Sequence, residues 1–216
     1  MQALMRDSRE LREAVIATAL EMNALGINRG KSGNVSVRVE NGFLVTPSGM
    51  PYGEIAADDI VAMRADGSHP ATQRPSSEWR FHRDIYAARS DAHAIVHTHS
   101  PFATTLACLD FGIPAFHYMI AVAGGHDIRC APYATFGTQQ LSDHAVRALD
   151  GRRACLLSHH GMIAIGASLK EALALAVEVE TLAEMYWRAL QVGKPSLLPA
   201  DELDIVLTKF ADYRRT

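Results

Sequence analysis

Residues 94–99 read Ala-Ile-Val-His-Thr-His, an apolar run that ends in two histidines separated by one residue. The apolar part reads as the end of a buried strand. Strand side chains alternate between faces, so residues two apart point the same way. His97 and His99 therefore project together, as two ligands of one metal ion must. Zinc takes imidazole nitrogen and carboxylate oxygen at roughly 2.0–2.2 Å, as a rule in tetrahedral sets. The remaining ligands must come from elsewhere in the chain, and Glu78 and His160 are the candidates. The alternative is that the pair simply packs at a strand end.

Length and charge narrow the field. The chain has 216 residues and no proline- or serine-rich linker, which fits one domain over residues 1–216. With 48% hydrophobic residues it can bury a substantial core. Its net charge is -3 and no basic cluster stands out, which argues against nucleic acid as a partner. No apolar run reaches the roughly 18 residues of a membrane span. The start, MQALMRDSRELREAV, lacks the apolar core of a signal peptide. Cys108, Cys130 and Cys155 are odd in number and form no CxxC pair, so they read as reduced, mostly buried thiols of a cytoplasmic protein. The ten histidines fall between His69 and His160, a density that suits metal or acid–base chemistry.

In chain order, residues 8–25 carry a helical period with Ser8 as N-cap and Gly26 as stop. VSVRV alternates like a strand, and Asn41-Gly42 marks a hairpin turn. The loops KSGNVS and TPSG are rich in small polar residues and can offer successive amides to an anion. Each is also an ordinary turn composition. Together with Ser76-Ser77 they suggest a phosphate pocket built from amides and hydroxyls. A strand is expected around Ile60–Met63. Pro75 is expected to open a helix through about Arg89, with Ser76, Ser77 and Glu78 in its first turn. Pro101 opens another short helix. Residues 112–137 mix short strands, one of them at HYMIA, with turns. A helix at 138–149, two strands within 154–166 and a helix at 168–192 follow, the last capped by Ser168 and carrying a mainly core stripe that includes Glu180. The tail is an amphipathic helix with Phe210 and Tyr213 on one face.

The segments GNVSVR, TPSG-x-PY, PSSEWRFH, VHTH, HYMIA-x-AGG, APYATFGT, HHG and KF-x-x-Y occur in order along nearly the whole chain. In this pattern the chain resembles the zinc-dependent class II aldolases that act on sugar phosphates. Those cleaving L-fuculose 1-phosphate are the nearest in pattern. The resemblance implies an α/β fold with a central, mainly antiparallel sheet flanked by helices. It implies a homotetramer with active sites at subunit interfaces. It also implies one zinc per subunit on His97, His99 and His160, with Glu78 as fourth ligand. Gly33, Asn34, Ser48, Gly49, Ser76 and Ser77 fall at its phosphate positions. Tyr118 falls at the proton-donating tyrosine, and Phe136, Phe210 and Tyr213 fall at the aldehyde end.

The implied reaction splits a ketose 1-phosphate into dihydroxyacetone phosphate and an aldehyde, L-lactaldehyde if the substrate is L-fuculose 1-phosphate. Glu78 is the implied general acid/base. Aldolases for 5-deoxyribulose 1-phosphate or 5-(methylthio)ribulose 1-phosphate share the framework. Epimerases of the same superfamily carry SSD where this chain has SSE, and an aspartate that His117–Gly125 lacks. A related dehydratase uses a glutamate between the second and third metal ligands, and none lies between His99 and His160. A non-catalytic zinc protein would need neither Glu78 nor a phosphate pocket.

Overall fold

The computed structural model of the chain describes residues 5–213. Asn41-Gly42 turns β1 (Asn34–Val39) into β2 (Gly42–Val45) as an antiparallel hairpin with Val39 opposite Gly42. Gly42 takes φ 149, and a Cβ there would meet the Met63 carbonyl oxygen at 2.0 Å, so this corner admits only glycine. β3 (Val61–Arg64) pairs with β2. On the other side β1 pairs with β4 (Ala94–Thr98), and β4 with β7 (Gly161–Gly166). β6 (Ala154–Leu157) and the edge strand β5 (Arg129–Ala131) complete a seven-stranded sheet of order β3-β2-β1-β4-β7-β6-β5. Every pairing is antiparallel except β5 with β6. The mainly antiparallel α/β fold anticipated above is the one observed.

The alternation of the strands gives the sheet two apolar faces. Val35, Val37, Val96, Leu156 and Ala164 pack with residues of α1 (Arg9–Ala24), α3 (Pro101–Ala107) and α5 (Leu169–Val192). Phe43, Ile95, Cys155 and Ile163 pack with residues of α2 (Trp79–Ala88) and α4 (Gln139–Ala148). His97 shares the face of Ile95 and meets the ring of Phe81 edge-on. α6 (Ala200–Tyr213) packs through Leu203 and Val206 near Ala121. Ser8, Thr138 and Ser168 cap α1, α4 and α5, each side-chain oxygen accepting from an amide three residues on.

Three expectations need correction. Pro75 does not start the second helix, which begins at Trp79. The Ser76 amide donates to Thr46 O at 3.0 Å and the Ser48 amide to Arg74 O at 2.9 Å, so residues 74–76 run alongside the TPSG loop. HYMIA forms a 3-10 turn, Tyr118–Ala123, rather than a strand. Of the cysteines only Cys155 is buried, and Cys108 is exposed. No helix among the described residues is long and apolar enough to cross a membrane.

Candidate metal centre

The register of the central strands builds the site. β4 and β7 pair with His97 opposite Ile163 and Thr98 opposite Met162. His97 Nδ1 lies 2.9 Å from the Met162 carbonyl, which can only accept, so this nitrogen carries the proton and Nε2 keeps its lone pair. His97 Nε2 lies 3.1 Å from His99 Nε2 and 3.2 Å from Glu78 Oε2. Glu78 Oε1 lies 3.1 Å from His160 Nε2. The three imidazole rings form a near-equilateral triangle, each pair of centroids 4.9 Å apart. One ligand atom from each of Glu78, His97, His99 and His160 lies within 4.8 Å of all the others. The four expected ligands thus converge on one point.

These residues fit a metal. Ligands at about 2.0–2.2 Å from a tetrahedral ion stand about 3.3–3.6 Å from one another, close to the separations found here. Glu78 Oε1 is buried and has no hydrogen-bond partner, a costly state for a carboxylate oxygen that a cation relieves. Burial, with His97 and His160 as neighbours, lowers the His99 pKa to about 3, so its imidazole is neutral at neutral pH. Burial alone would raise the Glu78 pKa, but His97 and His160 outweigh it and hold the carboxyl far below its usual range. Three imidazole nitrogens and one carboxylate suit a borderline divalent ion such as zinc better than a hard, oxygen-seeking one.

Two close approaches hold the ligands in place. A Cβ on Gly161 would meet Thr98 O at 2.4 Å, and one on Gly33 would meet His97 O at 2.5 Å. Both glycines let backbone pass directly against the strand that carries the histidines. His160 sits in the turn between β6 and β7, after His159, whose φ of 52 is uncommon for a non-glycine residue.

The small-residue loops are neighbours, as expected, joined by the Thr46, Ser48 and Ser76 amide bonds and by Lys31 Nζ donating to Gly49 O at 2.6 Å. Their details differ from the expectation. The Ser48 and Ser76 amides are engaged within the protein. Ser48 and Gly49 line a cleft with Asp59 and Arg74, while Ser77 lines the cleft of Glu78, His99 and His160. The Asn34 side chain is buried and turned to Glu78 and His82 rather than to a phosphate position.

The aromatic residues divide into two places. Phe136, 64% exposed, and Tyr133 stand at the mouth of the metal cleft. Tyr118, 50% exposed, instead stacks on Phe210, centroids 6.4 Å apart and planes 10° from parallel. They line a separate cleft of about 620 Å³ that contains no metal ligand. Within one chain, Tyr118 and Phe210 do not meet the metal cluster. Tyr213 ends α6, and its side chain lies outside the described residues.

Sequence reasoning missed several supports. Tyr52 donates its hydroxyl to Gly33 O at 2.5 Å, and the His99 amide reaches Asn28 Oδ1 at 3.4 Å. Glu180, read as part of a core stripe, accepts from the Phe102 and Ala103 amides at 2.8 and 2.9 Å and so caps α3 directly after the histidine strand. Its charge inside an otherwise apolar helical stripe was the available signal.

Comparison with known proteins agrees with this geometry. Residues 13–187 match the class II aldolase and adducin N-terminal domain family. A Rhodospirillum rubrum 5-methylthioribulose-1-phosphate/5-deoxyribulose-1-phosphate aldolase is 56% identical over 94% of this chain and 92% of its own length. The Escherichia coli K12 L-fuculose phosphate aldolase is 49% identical over 94% of this chain and 95% of its own. A solved L-fuculose 1-phosphate aldolase superposes with a TM-score of 0.92 at 39% identity, over 95% of this chain and 98% of that one. By sequence, by fold and by the residues that converge at its centre, the chain belongs to the class II aldolase family.

Proposed function

We propose that this class II aldolase reversibly cleaves a ketose 1-phosphate into dihydroxyacetone phosphate and a short aldehyde, using zinc held by Glu78, His97, His99 and His160. The convergence of those four side chains carries the reading. When bound, the metal supplies Lewis acidity toward substrate oxygens. Glu78 moves a proton between its carboxylate and the substrate carbon beside the carbonyl, as a general acid/base. Its buried Oε1, which accepts no hydrogen bond and faces His160, is the atom suited to that exchange. The phosphate rests among Gly33, Ser48, Gly49, Ser76 and Ser77, while the Asn34 side chain serves Glu78. Phe136 and Tyr133 shield the aldehyde end.

Tyr118, remote from its own metal cluster, donates to the aldehyde oxygen in a neighbouring subunit of a homotetramer. Phe210 and Tyr213 complete the same wall. A cytoplasmic setting, where sugar phosphates are found, suits this chemistry.

For the substrate, the 56% identity to a methylthioribulose/deoxyribulose phosphate aldolase and the aromatic mouth of the cleft favour an aldehyde with an apolar end. L-Fuculose 1-phosphate, giving L-lactaldehyde, is the second reading, supported by the 49% identical relatives and the superposed aldolase. Cleavage rates for 5-(methylthio)ribulose, 5-deoxyribulose and L-fuculose 1-phosphates decide between them, each assayed with and without a chelator. The expected order puts the two pentulose phosphates first, with activity lost to the chelator and restored by zinc. A faster reaction of L-fuculose 1-phosphate would reverse the order, and chelator-resistant cleavage would remove the metal from the mechanism.

A further inference from the structure

Behind Glu78 and Asn34 lies a line of buried hydrogen bonds that runs on to residues the chemistry above does not use. Glu78 Oε2 accepts from Asn34 Nδ2 at 2.9 Å. Asn34 Oδ1 is 2.5 Å from His82 Nε2, and His82 Nδ1 is 2.6 Å from Ser36 Oγ. Ser36 Oγ is 2.8 Å from the Tyr86 hydroxyl. None of the five residues is more than 6% exposed.

Donor and acceptor chemistry assigns every proton in this line. A carboxylate only accepts, so the amide nitrogen of Asn34 faces Glu78. The amide oxygen then faces His82 and can only accept, which puts the histidine proton on Nε2. Burial lowers the His82 pKa to about 3, so the ring is neutral and its Nδ1 is an acceptor. Ser36 therefore donates to His82, and its oxygen accepts from Tyr86. The line runs one way, from Tyr86 through Ser36, His82 and Asn34 to Glu78. Reversed, the buried Tyr86 hydroxyl would accept from Ser36 and leave its own proton without an acceptor, since among the described residues it has no other partner. An asparagine amide is nearly symmetric in shape, so packing does not choose its orientation. The hydrogen-bond line does, from both ends.

We propose that His82 is a positioning residue for the acid–base carboxylate: its Nε2–H holds the Asn34 amide in the orientation that donates to Glu78. With a donor fixed on Oε2, Oε1 is left to exchange the proton. This rests on the reading of Glu78 as the acid–base group.

The test uses the zinc-loaded enzyme and compares His82→Leu, His82→Gln, Asn34→Ala and the Asn34→Ala/His82→Leu pair for kcat, KM, zinc content and thermal midpoint. Misplaced catalytic groups cost up to about a hundredfold, so His82→Leu should lower kcat by about 10- to 100-fold while zinc stays bound. Because the ground-state contacts to substrate are untouched, KM should stay within about twofold. His82→Gln offers a donor and an acceptor in the same order and should recover part of kcat. In the Asn34→Ala background His82→Leu should cost no further kcat, because nothing remains to orient. A purely structural role would instead lower the thermal midpoint in both backgrounds and leave kcat of the folded enzyme alone. Parent-like kcat in folded His82→Leu, or an equal loss in the Asn34→Ala background, would overturn the inference. If His82→Leu does not fold, His82→Phe removes the same donor while keeping a ring of similar shape, and parent-like kcat in that folded variant overturns it as well. Glu78→Gln measured in parallel separates the two readings. An active Glu78→Gln removes the acid–base role and this inference with it. An inactive Glu78→Gln beside a fully active His82→Leu removes the positioning role alone.

Discussion

On the proposed reading of Glu78 as the acid–base group, one oxygen must be held and the other left to exchange the proton. Asn34 donates to Oε2, while the buried Oε1 accepts no hydrogen bond and faces His160 Nε2. Glu78→Gln keeps the shape and the three histidines but cannot exchange the proton. It is expected to retain bound zinc and to lose about 10²- to 10⁴-fold in kcat, checked by metal analysis and steady-state kinetics on one preparation. A second expectation concerns acid. His82 and His99 ionise near 6.5 when unfolded but near 3 in the fold. Between those limits the unfolded state binds more protons, so their contribution is whole above about pH 6.5 and is lost progressively toward pH 3. Calorimetry of the metal-free protein should show the thermal midpoint falling across that window, and less steeply in His82→Gln. At this scale the sequence was readable where two residues share a strand face or a named motif. His97, His99, His160 and Glu78 were found that way. His82, Ser36 and Tyr86 were not, because hydrogen bonds between residues 36 and 82 or 86 leave no mark on local periodicity.

The helices were legible where a cap and an apolar period agreed. α1, α4 and α5 start one residue after the expected Ser8, Thr138 and Ser168. They failed where a tertiary contact overrode local preference, as at Pro75, whose segment is held straight by the TPSG loop. The HYMIA stretch failed for a related reason, since aromatic and β-branched residues favour a strand while a short turn packed under α6 needs neither. Two predictions belong here. Gly161→Ala places a Cβ 2.4 Å from the Thr98 carbonyl, so β7 must move away from β4 where His97 and His99 leave it. The variant should bind zinc at least about tenfold more weakly, as disturbed supports of metal ligands do, measured by competition with a chromophoric chelator. Glu180→Ala uncaps α3 and leaves its Phe102 and Ala103 amides without an acceptor. It should cost about 1–3 kcal/mol of stability in denaturant titration, with zinc binding weakened less than by Gly161→Ala.

At the scale of the whole molecule, the described residues form two separate clefts. Glu78, His99 and His160 line one, and Tyr118 with Phe210 lines another. If the two belong to one site, as proposed above, a closed ring of subunits can join the first cleft of each chain to the second cleft of the next. Mixing Glu78→Gln and Tyr118→Phe subunits tests this directly. If each site draws Glu78 from one chain and Tyr118 from its neighbour, random reassembly should restore about a quarter of parent turnover, since one site in four then has both groups intact. No recovery after exchange of subunits would assign both groups to a single chain. Deleting residues 208–216 should lower turnover while leaving zinc content intact, because every residue of the candidate metal cluster lies at or before His160.

The placement of the ligands also sets an order of events in time. His97 and His99 leave β4, His160 enters β7, and these strands are joined through two helices, the 3-10 turn, β5 and β6. Pairing strands so far apart along the chain is slow compared with forming a local helix or the Asn41-Gly42 hairpin. The metal pocket therefore cannot exist until the slowest contact of the sheet is made. During refolding, a cobalt ion offered in place of zinc should acquire its tetrahedral absorption only after most helical signal has returned. The colour would then serve as a stopwatch for completion of the sheet.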